Sequence, residues 1–250
     1  VAHPGFELEA LCREVNRHGC RVAAYSLDLR DPARRRQLVE EVTATLGPVD
    51  ILVNNAGIEF TAAYHDLSEE NLRDIIAVNL EAPMILTRLL LPGMLERKRG
   101  HVVNVSSLAG KSGPAFQEPY AATKAALLAF TLSLRATYQG TGVSASAIAP
   151  GFVEAGIYSK LKARSGLSAP PWLGTSTPEK VAAAVIRAVE RDLPEVIVNS
   201  IPVRPLLAFT ALLPRAGEWL SNRTGANEFF RQVVEIDKRK TLERNPPNPP

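Results

Sequence analysis

Apolar and polar positions follow two rhythms along this chain, a helical one in long segments and short, nearly unbroken apolar runs between them. Phe6, Leu8, Leu11 and Val15 recur at helical spacing and stop at Gly19, which predicts a helix over 6–18. Residues 21–29 read as a strand closing at Asp28, and Asp31-Pro32 opens a charged helix to about Leu46, ended by Gly47-Pro48. Val49–Val53 is the kind of apolar run expected of a parallel strand covered on both faces. Ser68-Glu69-Glu70 caps a long helix to about Arg97, with a kink expected where Pro83 leaves the Asn79 carbonyl without its i+4 donor. A strand over 101–107, a helix from Tyr120 to about Gln139, a strand over 143–149, a helix from Thr177 to about Arg191 and a strand over 195–199 complete the alternation. This order predicts a doubly wound α/β domain with a parallel sheet over residues 1–200. Beyond it, 201–237 is an apolar helical extension and 238–250, ending Asn-Pro-Pro-Asn-Pro-Pro, a disordered tail.

Composition changes this picture little. A chain of 250 residues, 46% hydrophobic and 22% charged, can build one α/β domain with a large core. The net charge of +3 is spread along the chain, so nucleic acid is not an expected partner. Cys12 and Cys20 lack metal-ligand spacing and read as free thiols of a reducing compartment, and His3, His18, His65 and His101 form no cluster; no metal site is expected. No apolar run reaches the roughly 18 residues of a membrane span. Residues 204–220 are apolar, carry Arg204 and Arg215 with Arg223 close by, and are divided by Pro205 and Pro214 into two short helices. They suit a membrane surface, although burial on the domain or on a dimer partner is the simpler reading.

The chemistry concentrates in 107–124. Tyr120 and Lys124 stand at i and i+4 on a helix and share a face, and Ser107 ends a strand thirteen positions upstream. A fixed cation near a phenol is expected to lower its pKa and make Tyr120 a proton donor and acceptor near neutral pH. Ser106 is the competing hydroxyl, on the other strand face. Asn54-Asn55-Ala56-Gly57 follows one strand, Val78-Asn79-Leu80 lies inside the long helix, and Pro150-Gly151 follows another strand.

In this order and spacing, residues 5–200 resemble the short-chain dehydrogenase/reductase family of Rossmann-type nicotinamide enzymes. The resemblance implies an NAD(P)(H)-dependent oxidoreductase acting on an alcohol or carbonyl, with Tyr120 as general acid/base, Lys124 on the nicotinamide ribose, Ser107 on the substrate oxygen and Asn79 in a proton relay. It implies cofactor contacts from Asp28, Asn55, Ala56, Gly57, Tyr120, Lys124, Pro150, Gly151 and Val153, and a homodimer or homotetramer. Where the family usually has a threonine four residues beyond the Pro-Gly glycine, this chain has Ala155. Residues 154–176 are expected to form a mobile lid whose Ile157, Tyr158, Leu161, Leu167, Pro170, Pro171 and Trp172 either suggest an apolar substrate or, almost equally, pack the lid against the domain. No G-x-x-x-G-x-G occurs in the chain, which begins with Val where the family's third helix would begin. The fold is therefore expected to be N-terminally incomplete, without a unit of roughly 30 residues that includes the central strand. NAD cannot be told from NADP. The rival reading is a non-catalytic relative that lost the pyrophosphate cradle; the intact Ser107–Tyr120–Lys124 set argues against it.

Overall fold

The computed structural model describes residues 8–244. Helix α1 (Leu8–Arg17) is followed by an extended stretch and by α2 (Pro32–Leu46), whose N-terminus is capped by Asp31 through Ala33 N at 2.8 Å and Arg34 N at 3.3 Å. Strand β1 (Ile51–Asn54) leads to α3 (Glu69–Ile76), a π-helical turn over Ala77–Glu81, and α4 (Ala82–Glu96). Then come β2 (Gly100–Val105), the short α5 (Ala109–Ser112), α6 (Glu118–Thr137) and β3 (Val143–Pro150). Beyond β3 lie β4 (Phe152–Val153), α7 (Gly156–Ser165), β5 (Thr175–Ser176), α8 (Pro178–Glu190) and β6 (Glu195–Val198). Three helices close the chain: α9 (Arg204–Leu212), α10 (Pro214–Thr224) and α11 (Ala226–Arg244).

The main sheet is parallel, in the order β1-β2-β3-β6, and β4 and β5 pair separately. Adjacent β2 residues serve opposite faces, as a pleated strand requires. Val103 packs with Ile148, Val196 and Val198 against Ala184 and Ala188 of α8. Val102 packs with Val143, Ala145 and Met94 beneath α4 and α6. This is the doubly wound architecture expected from the sequence.

Four expectations need correction. The strand over 21–29 does not form: apart from a single bridge at Ser26 this stretch is not strand, because no neighbour among the described residues supplies a ladder of hydrogen bonds. Pro83 gives a π-turn instead of a simple kink, with Ala82 N bonded to Ala77 O, five residues back. Buried Arg35 of α2 secures that turn, donating to Glu81 Oε2 at 3.1 Å and to Ala77 O at 3.5 Å. The continuous helical stretch Glu69–Glu96 is long and apolar enough to cross a membrane by composition, contrary to the sequence reading. It serves the core, where Ile75, Ala82 and Met94 are fully enclosed. Finally, 238–244 is the end of α11 and not an irregular tail; residues 245–250 lie outside the described residues. Phe229, Phe230 and Val233 of α11 bury themselves against Tyr158 and Leu161 of α7, which anchors the helix.

Candidate active site

All the sequence motifs meet at the carboxyl ends of β1, β2 and β3, where open α/β sheets bind ligands. Beneath them runs a chain of buried polar bonds. Asn54 Nδ2 donates to Asn104 Oδ1 at 2.8 Å, Asn104 Nδ2 to Thr131 Oγ1 at 2.9 Å, and the Thr131 hydroxyl to Leu127 O at 2.6 Å. Each buried polar atom in this chain has a partner, so it locks β1, β2 and α6 in register without an unsatisfied group.

The serines divide their work as strand alternation predicts. Ser106 is buried and donates to Lys124 O at 2.7 Å, tying the strand end to α6. Ser107 accepts from Ala109 N at 3.1 Å, lies 3.5 Å from Pro150 O, and hydrogen-bonds the Tyr120 side chain. Lys124 is 3% exposed, donates to Val105 O at 2.8 Å, and sits 5.7 Å from the Tyr120 ring centroid. A lysine has three N–H donors, so this ammonium keeps donors for a ligand. Gly110 makes the packing feasible. A Cβ there would fall 2.6 Å from the Lys124 carbonyl carbon and 2.7 Å from Ala125 N, so only glycine lets α5 lie on α6 at the lysine itself.

Asn79 is fully buried and reaches back to the loop after β1. Its Oδ1 accepts from Ile58 N at 2.8 Å, and its Nδ2 donates to Ile58 O at 2.9 Å and to Thr123 Oγ1 at 3.4 Å. A Cβ on Gly57 would stand 3.5 Å from both Asn79 Oδ1 and Lys124 Nζ, so this loop, the π-turn and α6 converge on one spot. Asn55 and Ala56 are exposed beside it. Pro150 ends β3, Gly151 N bonds Val198 O at 3.0 Å, and Val153 lies in β4. A Cβ on Gly151 would approach Asn199 Oδ1 to 2.8 Å.

Three readings of individual side chains change. Asp28, expected against the cofactor, is held in an ion pair: its carboxylate takes Arg30 Nη2 at 2.6 Å and Nε at 2.9 Å, and the same guanidinium bonds Asp74 at 2.6 Å. The pKa of Tyr120 is not lowered by its lysine. Burial pushes it up to about 12, the Glu59 charge adds to the rise, and the Ser107 hydrogen bond offsets part of it. Lys124 is itself pulled down to about 8 by burial. The lid residues Tyr158 and Leu161 are buried against Phe229, Phe230 and Val233, with Leu167 beside them, so they pack the protein and do not line a cleft. Tyr158 is fixed further by accepting from Ala169 N at 2.8 Å.

The sequence reading passed over Glu59 and Gln117. The Glu59 carboxylate accepts from the Thr61 hydroxyl and from Gln117 Nε2 at 3.3 Å, and burial raises its pKa. A charged residue in Ile58-Glu59-Phe60, directly after Gly57, was the available signal.

Short chain dehydrogenases match residues 2–166 of this chain as a family. The chain belongs to that family. It is 37% identical over 239 residues to the ketoacyl reductase HetN of a Nostoc species, covering 95% of this chain and 81% of the relative. It is 35% identical over 182 residues to the 3-oxoacyl-[acyl-carrier-protein] reductase FabG of Thermotoga maritima, covering 72% and 74%. A metagenomic short-chain oxidoreductase solved in complex with NADP superposes with a TM-score of 0.63 at 30% identity, over 78% of this chain and 81% of that one. The short-chain oxidoreductase fold and family expected from the spacing of the motifs are thereby established.

Proposed function

We propose that this oxidoreductase interconverts an alcohol with a ketone or aldehyde using NAD(P)(H), with Tyr120 as general acid/base. The observation that carries the reading is the convergence of Ser107, Tyr120 and buried Lys124 at the strand ends. The residues present fit the nicotinamide-ribose end of the cofactor: Lys124 has unspent N–H donors, and Gly57 presents no side chain above it. Asn55, Ala56, Pro150, Gly151 and Val153 would border the same group. Asp28, already clasped by Arg30, does not fit an adenine contact as it stands. When bound, the nicotinamide supplies or accepts the hydride.

The protein's own work is proton transfer and positioning. With a pKa of about 12, Tyr120 is a phenol at neutral pH and is poised to donate its proton to a carbonyl oxygen, the reductive direction. Ser107, on the Tyr120 side chain, would hold that same oxygen. Lys124 would stabilise the phenolate left behind, and Asn79 would steady the loop over both. Two relatives named for ketoacyl and 3-oxoacyl reduction support a 3-oxoacyl type of substrate, hence an apolar chain bearing a reactive carbonyl. The same reading takes the protein to be a cytoplasmic homo-oligomer that touches a membrane surface through 204–220. Its free Cys12 and Cys20 agree with a reducing compartment.

The test is oxidation of NADH or NADPH by the full chain against a panel of carbonyls that includes 3-oxoacyl thioesters. Tyr120→Phe should lower turnover by about 10²- to 10⁴-fold with the fold intact. A Tyr120→Phe protein that turns over normally overturns the assignment.

A further inference from the structure

Helices α9 and α10 form a tight hairpin joined by the single residue Leu213. A Cβ on Gly217 would fall 2.9 Å from Thr210 Cβ, so the helices touch where the glycine permits it. Helix α9 has no buried residue, and although Leu207 and Leu220 are half-buried, the larger apolar groups of the hairpin face water. Leu212 at its tip is 80% exposed and Leu213 54%, with Phe209 at 42% and Trp219 at 60% on the flanks. So many large apolar groups in water on one protrusion mark an interaction surface.

We propose that this tip inserts into the headgroup region of a bilayer containing anionic lipid. The charges around it select this occupant. Residues 201–225 carry Arg204, Arg215 and Arg223 against the single acid Glu218. Arg204 pairs with Glu195 at 3.5 Å, which leaves Arg215 beside the tip and Arg223 further along α10 as the cations that face an anionic surface. Arg223 stacks on Trp219 with its guanidinium carbon 5.5 Å from the ring centroid. That pairs an interfacial aromatic with a phosphate-binding cation, the arrangement favoured at membrane surfaces. Basic residues beside an apolar wedge draw it to an anionic leaflet, and burial of the leucines holds it there. A second copy of the chain suits this face less well, because a twofold contact would bring the arginine-rimmed patch against itself.

The inference deepens the membrane-facing reading of 204–220 and is independent of the redox chemistry. Its test is co-sedimentation of the full chain with vesicles of phosphatidylcholine alone and with about 30 mol % phosphatidylglycerol. Trp219 emission is followed in a Trp172→Phe background. Binding should be at least about tenfold tighter to the anionic vesicles, should weaken in high salt, and should shift Trp219 emission to the blue. Leu212→Glu with Leu213→Glu should weaken it by about tenfold or more while carbonyl reduction in the absence of vesicles is retained. Vesicle binding that survives the glutamate pair keeps a membrane-facing segment but overturns insertion of this tip. No binding to either vesicle overturns both. If the pair instead dissociates an oligomer and no vesicle is bound, the face is a subunit interface and the proposal fails.

Discussion

The strand-end site and the helices that follow β6 solve the problem of placing side chains in opposite ways. At the site, position comes from backbone. Lys124 is held by the Val105 carbonyl, by Ser106 on its own carbonyl, and by a glycine that lets α5 lie against it. In the C-terminal region, position comes from side chains: ion pairs such as Arg164–Asp237 at 2.9 Å and Lys238–Asp66 at 2.8 Å, and apolar contacts that are distributed unevenly. Helix α11 buries Phe229, Phe230 and Val233, whereas α9 and α10 leave Phe209, Leu212 and Trp219 largely in water. A hydrogen-bonded backbone cannot shift by an ångström without losing partners, so the site is rigid where chemistry needs it. Apolar faces are interchangeable, so the same region supplies a structural brace in one helix and a surface for a partner in the hairpin before it.

The comparison is tested most severely at Phe229. Its ring is 5% exposed and meets Phe152 at 5.7 Å and Phe230 at 5.1 Å between centroids. If α11 belongs to the fold, Phe229→Ala should cost about 3–5 kcal/mol in chemical denaturation. A change below about 1 kcal/mol would show that α11 is an appendage and that α7 stands without it.

Next in size is Gly110→Ala. The added methyl meets the backbone of Lys124 and Ala125, which cannot rotate away, so overpacking should cost about 1–3 kcal/mol. The functional loss should exceed the loss of stability, because α6 carries Tyr120 and Lys124 together, and misplacement by about 1 Å can cost about 10²-fold in rate. Unchanged kinetics at Gly110→Ala would mean that backbone contact does not set the site's geometry.

A third effect is in pH. Lys124 falls to about 8 through burial, so kcat/KM for carbonyl reduction should decline above about pH 8 as its cation is lost, while Tyr120 stays protonated to about 12. Stability should move the other way over part of this range. The native state gives up the Lys124 proton at about 8, where the unfolded chain keeps it to 10.5, so Lys124 makes the fold more stable as pH rises across that window. Tyr120 holds its proton longer when folded, which lowers stability between 10.0 and about 12. Titration of the free enzyme's kcat/KM, beside melts over the same pH range, separates the two. A flat rate profile through pH 8 would remove the lysine charge from the mechanism.

These points also show what the residues alone made legible. Tyr120 and Lys124 share a helix face by covalent spacing, and Ser106 and Ser107 take opposite roles by strand alternation; both are local and could be read directly. The direction of the Tyr120 shift could not, because it depends on how much water surrounds the phenol and on Glu59, which is sixty-one positions away. Strand 21–29 failed for the complementary reason: its local pattern is right, but a strand is defined by its neighbours. In α11, Phe229, Phe230, Val233 and Val234 do recur at helical spacing, yet the charged run and prolines that follow made 238–244 read as a tail.

The smallest expected effect lies in the hairpin. Trp219 is 60% exposed and its one described partner is Arg223, so Trp219→Ser should lower stability by only about 0.5–1 kcal/mol, the worth of an exposed cation–π pair. A residue of the same size and class in α11 should cost several times more, although both helices follow the last strand within thirty residues. Thermal melts of Trp219→Ser and Phe229→Ala in parallel measure that ratio. Equal losses would mean that the hairpin is packed in solution by a second copy of the chain, since only a covered tryptophan can cost as much as a buried phenylalanine.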